Sequence, residues 1–497
     1  ARDKGLTTCP NCYAQKYNMT GAGIGLFNDI IRDAAHGGYS EDPTGIRKQG
    51  FINGLSYDWN GYSYANRNQS DLWAATDRLR SALRGSGTDW NGQGSPFTDD
   101  PQEAVNYVEK HDNETLFDQN IFKLPNGNGA GNPGWIGSGI PTTSMADRVR
   151  AQNMGQSLIG LAQGIPFFQM GSDILRSKSL DRNSYDSGDW FNRVYWDKSS
   201  NNFGQGLPPS WDNSTRWGIM GPLLANSALD PSTANMNFAA SHLRETLRIR
   251  QSSPLFRLTS EAEINARTSH YNTGNTQDAL IVLRLSDEPA PDLDSNWENI
   301  LVFFNANKIN QSITIPGANG FTLHPLHTNG VDDDPVLATA SFDDGADTFT
   351  IPARSTVVFV STQTLAPPLP PSSIDWVGKM WPRGGVANAV PEGAASGNID
   401  VYVRVYDAGV TEPAGAPAGI ACSLHWGKYG QAWSDVAMTW NVQIGNDDEF
   451  KAVIPQATLN GLTPGTYGFT AYCQRAGEEK KWKVDQYNIN SAGDDDQ

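Results

Sequence analysis

Residues 107–118 read YVEKHDNETLFD and carry more information about fold and function than any other stretch of the sequence. The first four, residues 107–110, predict a short half-buried strand that ends at His111, Asp112 and Asn113. An imidazole beside a carboxylate at the mouth of a strand suits recognition of hydroxyl-rich ligands or stabilisation of positive charge. The alternative is a strand end whose histidine and aspartate merely cap a turn, and spacing alone favours that alternative.

Two further stretches accompany this motif. Residues 18–38 read NMTGAGIGLFNDIIRDAAHGG, and residues 164–197 read GIPFFQMGSDILRSKSLDRNSYDSGDWFNRVYWD. In this order the three stretches resemble segments of the pullulanases, the starch-debranching enzymes of the α-amylase superfamily. The resemblance covers roughly residues 18–361. It implies the C-terminal part of a (β/α)8 barrel, with residues 107–118 at the seventh strand and residues 164–197 at the eighth strand and its loop.

Two catalytic groups of that family are missing from this sequence. A retaining glycosidase needs two carboxyl groups about 5–5.5 Å apart, one as nucleophile and one as proton donor. In pullulanases the nucleophile aspartate lies in a GFRFD-like run and the acid glutamate in a GEGW-like run, and neither run occurs here. We therefore expect the C-terminal portion of a longer enzyme, or a broken reading frame, that does not hydrolyse glycosides alone.

The resemblance implies roles for five residues of this sequence. Asp112 matches the third carboxylate of the family's trio, a transition-state stabiliser that holds ring hydroxyls, and His111 donates hydrogen bonds to the same sugar. Asn113 belongs to the same motif and is assigned to substrate binding. Asp189 and Arg193, in SGDWFNR, resemble the acid–base pair that binds the neighbouring glucose. The alternative interpretation of this pair is a loop salt bridge worth about 1 kcal/mol.

The amino-acid composition limits the kinds of molecule that the protein is expected to bind. The 497 residues include 37 basic and 54 acidic residues, and the net charge of −17 argues against nucleic acid and anionic membranes. No run of about 18 apolar residues occurs, so no membrane-spanning helix is predicted. The 15 Trp and 16 Tyr residues suit stacking on sugars, although we expect most of them in cores. We predict a secreted or extracellular protein, with no signal peptide observable in this sequence.

Cysteine usage is sparse. Cys422 and Cys473 lie in apolar runs of one β-rich region, so a disulfide between them and two free thiols are equally consistent with the sequence. Cys9 and Cys12 predict at most a local loop disulfide, because no second pair of zinc ligands lies nearby. We predict no metal or other cofactor. Calcium is frequent in the superfamily, but its ligands mostly belong to parts absent here, and we interpret the acidic turn at 332–334 as solvated.

Helix and strand signals alternate up to about residue 253. One helix is predicted to begin at Ser70, and another follows Ser144, which resembles the start of a capping box. Residues 165–170 predict a buried strand. A further helix is predicted to end near residue 252, because apolar residues recur at helical spacing at Phe238, Leu243 and Leu247. This alternation predicts half of a (β/α)8 barrel in residues 1–253, whose open sheet edges count against stability of this portion alone.

Short strand-like runs separated by turns replace this alternation after residue 253. Residues 254–364 resemble the pullulanase-type C-terminal β-sandwich. Strands are predicted there at 279–285, 300–304, 312–315 and 356–360. A proline-rich linker follows at 365–373, and residues 374–491 predict a second β-sandwich, immunoglobulin-like module. That module is either carbohydrate-binding, with strands that present tryptophans, or a spacer. Residues 492–497 predict a solvated tail.

The leading hypothesis is a portion of a retaining glycoside hydrolase that resembles pullulanase. The full enzyme would cleave α-1,6 branch linkages in pullulan, amylopectin and limit dextrins, with Asp112 and His111 holding the reacting ring. Its expected partners are an α-glucan polysaccharide and the missing N-terminal half of the barrel. The alternative is a noncatalytic α-glucan-binding protein, and a third hypothesis is a remnant without independent function. Upstream coding sequence in frame for the missing runs would favour the first hypothesis.

Overall fold

The computed structural model describes residues 16–93, 96–127, 134–274, 276–363, 371–382, 397–429 and 431–484. These residues form two compact units, one within Ala1–Thr364 and the other within Leu365–Gln497. The first unit combines a small parallel sheet and its helices with an antiparallel sandwich, and the second consists mainly of strands. Most of the predicted linker, the predicted tail, and Cys9 and Cys12 lie outside the described residues.

Two of the longer helices of the first unit begin after polar residues that cap them. The side chain of Asn68 accepts the N–H of Asp71 at 3.1 Å, and Ser144 Oγ accepts the N–H of Asp147 at the same distance. Both predicted helix starts are thereby confirmed within one residue. The helices are α1 (Asp29–His36), α2 (Gln69–Leu83), α3 (Leu116–Lys123), α4 (Met145–Gly160), α5 (Asp189–Asn192), α6 (Ser210–Asn213), α7 (Trp217–Leu224), α8 (Thr233–Ser252) and α9 (Glu261–Arg267). Among the described residues, no helix combines the length and the apolar content that a membrane crossing requires.

A three-stranded parallel sheet forms the start of this unit. Its order is β1 (Leu26–Asn28), β2 (Ala104–Asn106) and β3 (Ile165–Pro166). Asn28 and Asn106 are fully buried, and the Asn28 amide donates to the Asn106 side-chain oxygen at 2.8 Å. The pair fixes β1 against β2 by a side-chain bond in addition to the backbone ladder, since buried amides require partners.

The strand predicted at 107–110 is wrong, and the strand predicted at 165–170 is confirmed only for its first two residues. The ladder ends where the Asn106 carbonyl accepts the N–H of Phe167 at 2.8 Å. A strand continues only while a neighbour offers backbone partners. Because β1 and β2 both stop at this level, the apolar residues beyond them enter loops that side chains hold in place.

One face of the parallel sheet is apolar and exposed. The register sets Phe27, Val105 and Ile165 side by side, and Phe167 follows two residues after Ile165 on the same face. Phe27, Ile165 and Phe167 are 46%, 43% and 39% exposed, and the Phe27 and Phe167 rings contact edge to face at 5.6 Å. The opposite face is closed by the helices, and Ala104 on that side is fully buried.

The helix predicted to end near residue 252 is confirmed as α8, but the buried side predicted for it is wrong in part. Leu247 is exposed, whereas His242 and Glu245 are buried. His242 Nε2 lies 2.7 Å from Ser157 Oγ on α4, and Glu245 contacts the imidazole of His327 from the sandwich. Hydrogen bonds to other elements allow these polar groups to be buried, and a search for apolar residues at helical spacing does not reveal them.

An antiparallel sandwich completes the first unit. Its sheets have the orders β4-β5-β6-β11-β8 and β7-β10-β9, and both contribute to one core that contains Phe303 and Phe349. The strands are β4 (Thr268–Tyr271), β5 (Leu280–Ser286), β6 (Trp297–Asn305), β7 (Gln311–Thr314), β8 (Phe321–Leu323), β9 (Ser341–Asp343), β10 (Thr348–Ile351) and β11 (Ser355–Thr362). The four strands predicted between residues 279 and 360 are confirmed as β5, β6, β7 and β11.

The second unit is a sandwich of two four-stranded antiparallel sheets, with the orders β12-β13-β17-β16 and β15-β14-β18-β19. Its elements are β12 (Trp376–Trp381), β13 (Ile399–Tyr406), β14 (Ile420–Lys428), β15 (Ser434–Ala437), β16 (Thr439–Ile444), β17 (Asp447–Ile454), α10 (Gln456–Asn460), β18 (Tyr467–Arg475) and β19 (Lys481–Trp482). Cys422 and Cys473 stand opposite each other on β14 and β18 and are joined by a disulfide. Of the two alternatives for these cysteines, the structure therefore contains the bonded one.

Buried histidines occupy the helices and the sandwich of the first unit. They are His36, His242, His270, His324 and His327. Burial lowers their pKa values, to about 4 for His242 and His327 and to about 3 for His270 and His324. In His327 a hydrogen bond acts in the same direction, because Nε2 accepts the backbone N–H of Val358 at 3.0 Å. A proton on Nε2 would remove that acceptor and point at the N–H of Val358.

We expect His242→Gln to weaken the pH dependence of stability. The unfolded chain binds a proton at the ordinary histidine pKa of 6.5, while the folded chain binds it only near pH 4. Stability contributed by this histidine is therefore complete above pH 6.5 and is lost as the pH falls toward 4. In that window the slope of unfolding free energy against pH should decrease by about 1.4 kcal/mol per pH unit in the variant.

Urea unfolding at several pH values, followed by tryptophan fluorescence, measures this slope. His111→Gln is the matched control, because the His111 ring is exposed in the folded chain. An identical slope for His242→Gln and the wild type would contradict the proposed cause.

Candidate functional site

The loop between β2 and α3 presents two of the predicted site residues to solvent. The side chains of His111 and Asp112 are 84% and 55% exposed. Asn113 follows with a φ of 63°, a left-handed conformation that asparagine adopts more readily than most residues. The turn lies at the carboxyl end of the parallel sheet, where side chains that follow the strands can meet a ligand.

Asp112 is paired with the side chains of Lys110 and His111. Lys110 Nζ donates to Asp112 Oδ2, and His111 Nε2 lies 3.3 Å from Asp112 Oδ1. The hydrogen bond from Lys110 lowers the pKa of Asp112 below its ordinary value, and the charges of Lys110, His111 and Lys178 act in the same direction. Asp112 is therefore an ionised, solvent-facing carboxylate with an imidazole beside it. Such a pair can accept hydrogen bonds from hydroxyls and stabilise nearby positive charge.

The buried Glu109 side chain fixes the loop that carries Asp112. Its buried carboxylate accepts the N–H of Leu116 at 2.7 Å, at the start of α3, and also accepts the hydroxyl of Ser172 in the segment after β3. The Gln169 amide, in the orientation that satisfies its neighbours, donates to Glu109 at 3.2 Å and to the Lys110 carbonyl at 2.9 Å. Burial raises the pKa of Glu109. One carboxylate thus ties the loop that carries Asp112 to the segment after β3.

Lys178 and Asp118 form a second tie between the same segments. Lys178 Nζ donates to the His111 carbonyl at 3.0 Å, while its backbone N–H donates to Asp118 at 2.8 Å. Asp118 also accepts the hydroxyl of Ser177 at 2.5 Å. Burial raises the pKa of Asp118 to about 6 and lowers the pKa of Lys178. The position of His111 therefore depends on residues more than 60 positions away in the chain.

Asp189 and Arg193 lie in the segment after β3. Asp189 is the first residue of α5, and Arg193 follows its last residue. Both side chains are exposed, and the Arg193 guanidinium donates to the Tyr195 hydroxyl at 3.1 Å. Among the described ion pairs none joins Asp189 to Arg193, so the alternative of a loop salt bridge is not supported. Asn202 bridges this loop to the segment that holds Lys178, since its amide donates to the Trp190 carbonyl at 2.9 Å.

The two predicted parts of the site thus lie on loops that are bonded together, although within the described residues no hydrogen bond or ion pair connects Asp112 directly to Asp189 or Arg193. Sequence reasoning missed Lys178 and Asp118 altogether. The sequence marked them only by their position, since Lys178 lies within residues 164–197 and Asp118 within residues 107–118. A buried lysine or aspartate in a loop belongs to no periodic pattern that could have indicated its role.

Metal ligation finds no support in the described residues, which contain no cluster of three His, Cys, Asp or Glu side chains able to hold an ion. The interpretation of residues 332–334 as a solvated turn is wrong for two of the three. Asp332 pairs with Arg244 and Arg248, and Asp334 receives a two-pronged bond from Arg150 at 2.8 and 2.9 Å. The turn joins the sandwich to α4 and α8.

Comparison with known proteins identifies relatives of this chain. Residues 198–362 match the family described as alpha-1,6-glucosidases, pullulanase-type, C-terminal. Pullulanase 1 of the chloroplast of Arabidopsis thaliana is 34% identical over 379 residues, which is 70% of this chain and 37% of the relative. A pullulanase of Klebsiella pneumoniae is 33% identical over 313 residues, 59% of this chain and 27% of the relative.

Solved structures that resemble this chain are also those of pullulanases. The crystal structure of PulA from Klebsiella oxytoca superposes with a TM-score of 0.63 at 28% identity, over 71% of this chain and 34% of that one. The maltotriose complex of PulA from Klebsiella pneumoniae gives a TM-score of 0.62 at 28% identity, over 71% of this chain and 38% of the other.

These matches relate the chain to the pullulanases. The part of the chain that matches their family model is residues 198–362, which resemble the C-terminal region of pullulanase-type alpha-1,6-glucosidases. It spans about a third of the length of the relatives it matches.

We expect Lys110→Met to raise the pKa of Asp112 toward its ordinary value, because the variant removes the hydrogen bond that lowers it. An NMR titration of carbon-13-labelled aspartate carboxyl groups measures the change. Lys198→Met, which removes a lysine bonded to Asn237 elsewhere, is the matched control. An unchanged Asp112 titration in Lys110→Met would show that the ion pair does not exist in solution.

We expect Glu109→Ala to lower the unfolding free energy by about 3 kcal/mol, because it leaves the buried donors of Leu116 and Ser172 without acceptors. Glu41→Ala, at a side chain that is 78% exposed, should cost less than about 1 kcal/mol. Urea unfolding compares the two variants. Equal stabilities would exclude Glu109 as the tie between the loops.

Proposed function

We propose that the chain is the portion of a pullulanase-type retaining glycoside hydrolase that holds the reacting sugar, in an enzyme that cleaves α-1,6 branch linkages of pullulan, amylopectin and limit dextrins. The observation that carries the proposal is the ionised, exposed Asp112 beside His111 at the carboxyl end of a parallel sheet. The family relationship supplies the reaction class, and the maltotriose bound to a related PulA supports an α-glucan ligand.

Asp112 and His111 would act on the ring rather than on the scissile bond. The carboxylate accepts hydrogen bonds from ring hydroxyls, and the imidazole donates to them. Both interactions strengthen as positive charge develops at the anomeric carbon, so they lower the barrier rather than merely bind substrate. Asn113 is placed in the same turn for a further contact with the sugar, and Asp189 with Arg193 would bind the neighbouring glucose.

The covalent steps require groups that this sequence lacks. An aspartate outside the chain would attack the anomeric carbon, and a glutamate outside the chain would protonate the departing oxygen. Water would then release the glucosyl-enzyme intermediate with retention of configuration. The chain alone is accordingly proposed to be inactive.

The exposed face of the parallel sheet supports the need for a second polypeptide portion. Purely parallel sheets are normally covered on both faces, and barrel interiors are filled by layers of bulky side chains. Phe27, Ile165 and Phe167 present such a layer to solvent. We assign its cover to the N-terminal half of a (β/α)8 barrel, to which β1, β2 and β3 would contribute the last strands.

A secreted or extracellular location is part of the proposal. It is supported by the disulfide between Cys422 and Cys473, since such bonds persist mainly in oxidising compartments. The alternative function is noncatalytic binding of α-glucan. The Asp112 site would serve that function as well, because holding ring hydroxyls does not itself need the missing carboxyl groups.

We expect no pullulan hydrolysis by the purified chain, and activity on addition of a polypeptide that carries the missing half-barrel. Reducing ends released over a long incubation measure the rate. In the reconstituted enzyme Asp112→Asn should reduce the rate by about a hundredfold or more, because a charge that stabilises the transition state is removed. Asp292→Asn, at an exposed aspartate of the sandwich, is the matched control.

Turnover by the chain alone would overturn this proposal, because other carboxylates would then have to supply the nucleophile and the acid. Failure of every half-barrel to restore activity, together with tight binding of α-glucan, would favour the noncatalytic alternative.

A further inference from the structure

The sheet β15-β14-β18-β19 of the second unit carries a row of aromatic rings on its outer face. The row consists of Tyr429, Trp433, His425 and Trp482, which we name the aromatic platform. Neighbouring ring centroids lie 5.6 Å apart for Tyr429 and Trp433, 5.4 Å for Trp433 and His425, and 5.4 Å for His425 and Trp482. Tyr429 and Trp482, at its two ends, are 63% and 41% exposed.

Two glycines allow Trp433 to lie against the sheet. Gly427 on β14 and Gly468 on β18 are directly opposed in register. A Cβ atom at Gly427 would come within 2.7 Å of the Trp433 ring, and one at Gly468 within 2.6 Å. Any larger residue at either position would displace the indole. The Trp433 Nε1 also donates to the Lys428 carbonyl at 3.2 Å, which fixes the ring's orientation.

Charged and polar groups lie beside the aromatic rings of the platform. Asp435 accepts hydrogen bonds from His425 Nδ1 at 2.7 Å, from the Tyr472 hydroxyl at 2.9 Å and from Lys480 Nζ at 3.3 Å. The Tyr472 ring is buried and packs against Trp482, with their centroids 4.9 Å apart. The carboxylate is held in one place while its side chain remains 41% exposed.

We propose that this platform binds a chain of neutral sugars, and that the sugars are those of an α-glucan. Aromatic rings receive the apolar faces of pyranose rings, and a fixed carboxylate with a nearby ammonium group offers an acceptor and a donor to the hydroxyls at their edges. The choice of α-glucan rests on the proposed function of the first unit, whereas the sugar-binding character rests on the platform itself.

A protein partner fits the platform less well. The buried centres of protein interfaces are depleted in aspartate and lysine, because both charges lose water there. Asp435 and Lys480 are bonded to each other and contact His425 and Trp482 of this platform, so a dry contact would remove water from both charges. A hydroxyl-rich chain replaces that lost water with its own hydrogen bonds. Nucleic acid is disfavoured by the net charge of −17.

The experiment is native gel electrophoresis of the full chain through gels that contain amylopectin, pullulan or a soluble β-glucan. Trp482→Ala and Tyr429→Ala alter exposed rings at the two ends of the platform, and thermal unfolding verifies that each variant is folded. Trp381→Ala is the matched control, because this tryptophan is 56% exposed on β12 of the other sheet. Asp112→Asn separates the platform from the sugar site of the first unit.

We expect α-glucan to retard the wild-type chain, and each platform variant to weaken binding on the order of tenfold, the loss of one aromatic contact. Trp381→Ala should leave the retardation in place, and any retardation that Asp112→Asn removes measures the separate contribution of the first unit. Retardation lost only in Asp112→Asn would overturn the platform while supporting the proposed function. An unretarded wild-type chain, or equal retardation by β-glucan, would overturn the α-glucan assignment. Hydrolysis by the reconstituted enzyme would still test the proposed function independently.

Discussion

A parallel sheet must be covered on both faces, and this chain covers only one face of β1, β2 and β3. The side chains of Asn28, Asn106 and Ala104 are buried on one face of the sheet, while Phe27 and Ile165 remain exposed on the other. Burial of apolar surface dominates folding free energy, so this open layer is an unmet requirement of the first unit. The proposed need for a second half of the barrel depends on this requirement, whereas the proposed inactivity of the chain alone depends on the two missing carboxyl groups.

The candidate site illustrates how exposed chemistry depends on buried polar support. Asp112 and His111 face solvent, but their loop is fixed by Glu109, which is buried, and by Lys178, which reaches it from the segment after β3. Loops of this kind would fluctuate without such bonds, because they have few apolar contacts of their own. Placing the interacting carboxylate on a loop and its anchors in the interior combines access for a sugar with a defined geometry.

Sequence reasoning located much of this fold for identifiable reasons. Caps such as Ser144 act within one turn, so the start of α4 was predictable, and the strands of the sandwich follow alternation over neighbouring residues. The strand at 107–110 was misplaced because ladder length depends on β1 and β3, far away in sequence. For the same reason the motif led to Asp112, whereas Lys178, Asp118 and the buried side of α8 depend on contacts that no local pattern encodes.

The disulfide of the second unit has a consequence for the aromatic platform. Cys422 faces Cys473, and five residues further along the same two strands Gly427 faces Gly468. A slip of two residues would leave every side chain on its own face, yet it would bring Thr466 or Thr470 opposite Gly427, where a branched side chain would lift the indole off the sheet. The covalent bond therefore sets the alignment of β14 with β18, and the shape of the ring surface is linked to the oxidation state of two sulfur atoms on the other side of the sheet.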